Sequence, residues 1–266
     1  IYMRLYRRIL LNTFKTKISF RFDYFLSTLF SFFYIVLRIF IWQGLYKQEN
    51  ISSTGIFLND MIAYSIISSL TQGITKSTVM TEINKMVLDG SISNQLLLPL
   101  NFHRHLFLSE LANNVFGTLY NTIPPFLMGI FIFGIHFDFV FRNLLFYCAA
   151  IILGFGINFL YQLVLGLTVI WLRNSFFLKN LDSLLTKLFS GSMVPLWFFP
   201  SWLHLISAWL PFRFIIFEPI AILLNKKTLE EVGMIFLWQV VWLAVLMIIN
   251  VIIWYRGKRK LMIQGG

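Results

Sequence analysis

Apolar residues fill most of this chain in long runs, separated by short stretches that are polar, basic or rich in proline. Six runs reach or approach the roughly 20 residues needed to cross hydrocarbon: 25–46, 56–76, 106–134, 144–172, 183–200 and 232–255. The third and fourth are long enough to tilt or to extend past the lipid. The fifth is the weakest, because Gly191 and Pro195 interrupt it, and it is expected to break near Pro195. Ahead of the first run, Tyr2, Leu5, Tyr6, Ile9, Leu10, Phe14 and Ile18 recur at helical spacing with Arg and Lys between them. That pattern predicts an amphipathic helix, within 1–22, lying on the membrane surface. With no linker or repeat in view, residues 1–266 read as one all-α integral membrane domain of six transmembrane helices.

Composition agrees with the pattern. Hydrophobic residues make up 58% of the chain and charged residues 12%, against about 25% charged in soluble domains. A soluble fold of this size leaves roughly a third of its surface wet, and lipid removes that difficulty. The run that follows the basic start is too long for the core of a cleavable signal peptide.

The net charge of +11 does not point to nucleic acid, because the basic residues lie between apolar runs and not on one polar domain. They act instead as an orientation signal. Placing the N-terminus inside puts sixteen Lys and Arg on the inner segments. Five, Lys47, Arg142, Arg213, Lys226 and Lys227, lie on the outer ones. Both termini are therefore expected in the cytoplasm.

Reactive groups are sparse. Cys148, the single cysteine, excludes an internal disulfide and is expected to be a small buried apolar residue. There is no G-x-x-x-x-G-K-[ST] loop, and Gly154 with Gly156 lacks the third glycine of a dinucleotide fingerprint. His103 and His105 flank Arg104 as basic interface anchors, and no metal site is expected. Intramembrane polar candidates are Arg38, well within a span, and Asp60 and Glu110 near the ends of theirs. A tight hairpin of the first two spans could pair Arg38 with Asp60 as a structural ion pair, the alternative being a polar contact on a transport route. Too few buried carboxylates remain for an ion-coupled transport cycle.

Two segments carry more specific signal. In the inner loop, 77–105, the run Ile83 to His105 reads I-N-K-M-V-L-D-G-S-I-S-N-Q-L-L-L-P-L-N-F-H-R-H. Asp89-Gly90 ends one short helix. Ser91 or Ser93 starts another, which Pro99 stops, with Ile92, Leu96 and Leu97 on one side. In the outer segment, 191–214, Pro195, Pro200 and Pro211 alternate with Trp197, Trp202 and Trp209. Prolines five residues apart forbid a continuous spanning helix. The aromatics favour headgroup depth. A short helix from about Ser201 to Leu210, capped by Ser201 and ended by Pro211, is expected to dip into the outer leaflet as half of a re-entrant hairpin.

The order of a basic N-helix, two spans, D-G-S-I-S-N-Q-L-L-L-P-L, and a late G-S-M-V-P-L-W-F-F-P followed by L-P-F-R-F resembles the membrane subunits of type-2 ATP-binding-cassette exporters. It is most similar to their stand-alone six-span permeases of the bacterial plasma membrane. The resemblance implies no catalytic residue and no cofactor on this chain, with ATP and Mg on a partner ATPase. It implies coupling to that ATPase through Val87, Leu88, Asp89, Gly90, Ser91, Ile92, Leu96 and Leu97, and through Arg7 and Arg8 on the connecting helix. Asp89 departs from the family, in which a basic residue is common there. The resemblance further implies an exit gate of Pro195, Trp197, Phe198, Phe199, Pro200, Trp202, Pro211 and Phe212, and a second permease, the same or different, as dimer partner.

The sparse charges predict an apolar, aromatic route for an amphipathic or hydrophobic cargo such as a peptide antibiotic, drug or lipid-linked molecule. A lipid-modifying membrane enzyme would need a convergent catalytic set, for which Glu110, Asn113 and Asn114 are the nearest cluster. A non-catalytic scaffold or sensor is the other alternative.

Overall fold

A computed structural model describes residues 21–47, 55–92, 101–134, 140–172 and 175–264. These residues form helices and short turns. The chain runs through α1 (Arg21–Tyr46), α2 (Leu58–Thr75), α3 (Val79–Leu88) and α4 (Phe102–Gly117). A π-helical turn (Thr118–Thr122) joins α4 to α5 (Ile123–Phe133), and α6 (Phe141–Leu172) and α7 (Ser175–Phe189) follow. Beyond a 3-10 turn (Leu196–Phe198) come α8 (Ser201–Ala208), a second 3-10 turn (Pro211–Phe214), α9 (Phe217–Leu223) and α10 (Leu229–Gln264). The N-terminal amphipathic helix, with Arg7 and Arg8, lies outside the described residues.

Among the described residues four helices are long and apolar enough to cross a membrane: Phe25–Tyr46, Phe102–Phe133, Phe141–Leu172 and Leu229–Gly257. A fifth arises if Ser201–Ala208 and Pro211–Leu223, bent by 76°, are counted as one span. The other two expected spans are shorter or more polar than the sequence pattern suggested. Helix α2 has 18 residues and carries Asn59, Asp60, Ser65, Ser68, Ser69, Thr71 and Gln72. Helix α7 has 15 residues, about 22 Å at 1.5 Å per residue, against a hydrocarbon core of about 30 Å.

α7 ends at Phe189 and not at Pro195. Gly191 turns the chain with φ of +77°, a conformation that glycine alone adopts freely. Its flat side receives the Phe217 side chain and the Tyr64 hydroxyl. The long helices turn large apolar side chains outward, among them Phe30, Phe33, Phe40, Phe131, Ile152 and Val251, as lipid-facing surfaces do. Cys148 is exposed on α6, which corrects the expectation that it would be buried.

Amides tie the bundle together where apolar packing alone lacks direction. Gln239, fully buried on α10, donates from Nε2 to the carbonyls of Ala150 (2.9 Å) and Phe214 (3.0 Å). Asn250 donates to Leu160 O at 3.0 Å, and Asn158 to Thr75 O at 2.7 Å. At Gly154 of α6 a Cβ would stand 3.0 Å from the Phe214 carbonyl oxygen and 3.2 Å from that of Ile215. That glycine lets the turn after α8 lie directly against α6. Its use is close packing and not nucleotide binding.

The π turn has a local cause. Pro124 and Pro125 open α5 without backbone N–H groups. The Tyr120 carbonyl therefore lacks both its α-helical donor at position 124 and its π-helical donor at position 125. The Thr28 hydroxyl of α1 donates to it instead at 3.0 Å.

Candidate functional site

α1, α2, α4, α6 and α7 surround a cavity of about 1140 Å³. Serines, threonines and amides dominate its wall. Ser27 and Ser31 come from α1, Ser69, Gln72 and Thr75 from α2, Asn113, Asn114 and Asn121 from the α4 span, and Asn158 and Gln162 from α6. Leu26, Phe30, Tyr34, Pro125, Ile215 and Ile216 supply the apolar share. The sequence does hold a signal for the polar share: polar residues recur at spacings of four or eight along apolar helices, at Ser27 and Ser31, at Gln72 and the flanking Lys76, at Asn113 and Asn121, and at Asn158 and Gln162. Each side chain alone looks like an isolated exception. Together they form stripes, one per helix, facing a common space.

The inner end of the cavity is organised by the short link between α2 and α3. Lys76, Ser77 and Thr78 line it together with Glu110. Glu110 is buried in α4 and accepts from the Thr78 backbone N–H (2.6 Å) and hydroxyl (3.1 Å). Asn114 donates to the Lys76 carbonyl at 2.6 Å. Glu110, Asn113 and Asn114, the cluster weighed for catalysis, thus border the cavity, with Glu110 and Asn114 holding the start of α3. Burial, and next the nearby Glu110 carboxylate, raise the Glu82 carboxyl above its ordinary value.

α3 packs on α6, where Gly166 makes room for Ile83 and Met80. Val87 is half-buried on the same side, while Leu88, Asp89 and Gly90 are exposed at its tip. Gly90 turns with φ of +75°. Asp89 accepts from the Ser91 hydroxyl (2.6 Å) and N–H (2.9 Å), and these bonds hold its carboxyl below the usual value. Ile92 is buried. Leu96 and Leu97 lie outside the described residues.

The three intramembrane polar residues part company. Asp60 does not meet Arg38. It pairs with Lys226 at 2.7 Å and accepts the Phe57 N–H at 3.0 Å. Arg38 lies deeper and donates to Ser68 Oγ at 3.2 Å. The expected hairpin pair fails because Asp60, in the first turn of α2, is drawn to the loop that enters α10.

The outer segment is partly embedded. Pro195, Pro211 and Phe212 are buried. Trp197 stands edge-on to Tyr64 (5.6 Å) and Phe217 (4.9 Å), and Phe198 lies 5.0 Å from Trp42. Phe199 is half-buried, whereas Pro200 and Trp202 are exposed. Pro200, not Ser201, occupies the N-cap of α8, and no side chain caps it. The Tyr64 hydroxyl donates to Gly191 O at 2.8 Å. Nearby, Arg213 pairs with the buried Glu218, and Lys227 Nζ lies 3.5 Å from the same carboxylate. Among the described residues no three His, Cys, Asp or Glu side chains gather as metal ligands would.

A family model described as "ABC-2 family transporter protein" matches residues 32–265. No curated protein and no solved structure matches the chain. The match spans every membrane helix described above, from within α1 to the end of α10. This multi-pass membrane protein therefore belongs to the ABC-2 family of transporter membrane proteins, as a permease subunit of an ATP-binding-cassette transporter.

Proposed function

We propose that the chain is one half of an exporter in the bacterial plasma membrane, with six spans and both termini in the cytoplasm. The run 56–76, which contains α2, and the run 183–200, which begins in α7, serve as the second and fifth spans. A separate ATP-binding-cassette ATPase supplies the energy, and a second permease, identical or different, completes the membrane assembly. The exposed tip Leu88–Gly90, with Val87, Ser91, Ile92, Leu96 and Leu97, is the part the ATPase pushes. Arg7 and Arg8 of the N-terminal helix make a second contact. The segment 191–214 re-enters the outer leaflet and gates the exit through Pro195, Trp197, Phe198, Phe199, Pro200, Trp202, Pro211 and Phe212.

One observation carries this reading: the polar cavity ends where Glu110 grips the first residues of α3. A push on the α3 tip is delivered through Val79 and Met80, packed on α6, and through Thr78 to Glu110. A movement of the coupling helix therefore acts on the cavity wall itself. Its hydroxyl and amide lining beside Leu26 and Phe30 suits an amphipathic cargo with a hydrogen-bonding head. Coexpression with ATP-binding-cassette ATPases, followed by purification and efflux assays, tests the proposal. A stable complex with ATP-dependent efflux is expected. It is overturned if the chain copurifies with none of them and efflux persists without any ATPase.

A further inference from the structure

Arg38 is 6% exposed and sits about two turns from the outer end of α1. A guanidinium carries five N–H donors in a rigid fork. One of its nitrogens, Nη1, reaches Ser68 Oγ at 3.2 Å, a neutral partner. Nε and Nη2 are buried without a hydrogen-bond partner among the described residues. The Tyr34 ring, 5.7 Å from the guanidinium carbon, adds a weak attraction. No carboxylate pairs with Arg38 among the described residues. A purely structural arginine at membrane depth is expected to be paired with a carboxylate or with backbone carbonyls.

Its position relative to the cavity is specific. Ser68 Oγ, which takes the Arg38 bond, also accepts from Gln72 Nε2 at 3.0 Å. Gln72 and Tyr34 both line the cavity. The guanidinium thus stands one hydrogen bond behind the wall, and two side chains separate it from the interior. Other charges on or behind this wall are Lys76, Lys187, Glu110 and Asp182. The two carboxylates are held by neutral donors, Glu110 by Thr78 and Asp182 by Gln162 (2.9 Å) and Thr186 (3.0 Å).

We propose that Arg38 recognises an oxyanion, the phosphate or carboxylate head of an amphiphile that enters the cavity and displaces Gln72 from Ser68. The guanidinium, two of whose nitrogens have no hydrogen-bond partner among the described residues, supplies charge-assisted bonds to such a group. This deepens the transport reading and rests on it for the cavity being a route. The apolar residues Leu26 and Phe30 on the same wall receive the chain of the amphiphile.

The test uses the purified full chain in dodecyl maltoside, with unfolding followed by tryptophan fluorescence. Three probes are titrated: dodecyl phosphate, dodecyltrimethylammonium with the same tail, and inorganic phosphate. Dodecyl phosphate is expected to raise the melting temperature where the cationic probe does not. Arg38→Gln is expected to require about tenfold more dodecyl phosphate for the half-maximal shift, as loss of a charge-assisted pair implies. Arg38→Lys, which keeps the charge and loses the fork, falls between. If inorganic phosphate matches dodecyl phosphate, the site still takes an oxyanion but its source is a free anion. Equal responses to the anionic and cationic amphiphiles overturn the proposal without any variant, so a variant that fails to fold does not shelter it. An unchanged half-maximal concentration in Arg38→Gln overturns it too. No ATPase is present, so a negative result here leaves the transport reading intact, and a missing ATPase partner does not alter this binding result.

Discussion

Replacing Tyr64 by Phe removes one oxygen atom and a single hydrogen bond. Tyr64 is fully buried, and its hydroxyl donates to Gly191 O at 2.8 Å. That carbonyl belongs to the turn after α7, where no helical ladder supplies a second donor. The substitution therefore loses a hydrogen bond worth about 0.5–1.5 kcal/mol and orphans a buried acceptor. Hydrogen bonds within membranes average only about 0.6 kcal/mol and reach about 1.7, which limits the expected loss to about 1–1.7 kcal/mol. Tyr147→Phe is the internal control. Its hydroxyl meets Thr71 Oγ1 at 2.8 Å, but Thr71 Oγ1 also donates to Ile67 O at 2.9 Å. Thr71 thus stays satisfied after the change, and a loss of about 0.5 kcal/mol is expected. Equilibrium unfolding in mixed dodecyl sulfate and maltoside micelles measures both, with the Trp197 ring 5.6 Å from Tyr64 as a local reporter. Equal losses in the two variants, or a Tyr64→Phe loss under about 0.3 kcal/mol, refute the reasoning from orphaned acceptors.

Asp60→Asn keeps the acceptor for the Phe57 N–H but loses the Lys226 pair, which is partly exposed. Its cost should stay under about 1 kcal/mol and shrink further in high salt. Gly154→Ala places a methyl group 3.0 Å from the Phe214 carbonyl oxygen, a backbone atom that cannot rotate away. About 1–3 kcal/mol of destabilisation in the same unfolding assay is expected. The Glu82 carboxyl, raised by burial and by Glu110, binds its proton more tightly in the folded state than in the unfolded one. Its contribution favours folding below the ordinary carboxylate pKa and is lost as pH rises through the raised value. Glu82→Gln should therefore flatten that limb of a stability–pH profile and raise stability at neutral pH. A profile unchanged by the substitution contradicts the assignment.

The membrane character and the turn at Gly90 were legible because both follow from local rules, apolar length and the Asp-Gly pair. The short helix after Pro200 was legible for the same reason, since prolines restrict the backbone wherever they occur. The end of α7 was misplaced at Pro195. Gly191, just past Phe189, ends the helix by the local rule for a glycine at positive φ, and only the packing of Phe217 and Tyr64 against it depends on residues distant in sequence. Arg38 and Asp60 looked like natural partners while Lys226 was a distant residue of an outer loop. Gln239 and Asn250 carried no readable signal at all, since a lone amide in an apolar helix looks alike whether it binds a neighbour or nothing. The cavity is the opposite case: its polar stripes lie in the sequence, but a single small polar residue in an apolar helix does not reveal that its neighbours on other helices face the same space.

The proline pair at 124 and 125 has a consequence for how the family model's region can vary. The hydrogen bond that joins α1 to the Phe102–Phe133 helix ends on the main-chain oxygen of residue 120, which every amino acid possesses. Substitution of Tyr120 should leave that fastening intact, whereas restoring an N–H at 124 or 125 would reclaim the oxygen for the helix and release Thr28. The informative positions for homologue comparison are thus 28, 124 and 125, and a sequence that loses the prolines is expected to lose the threonine with them.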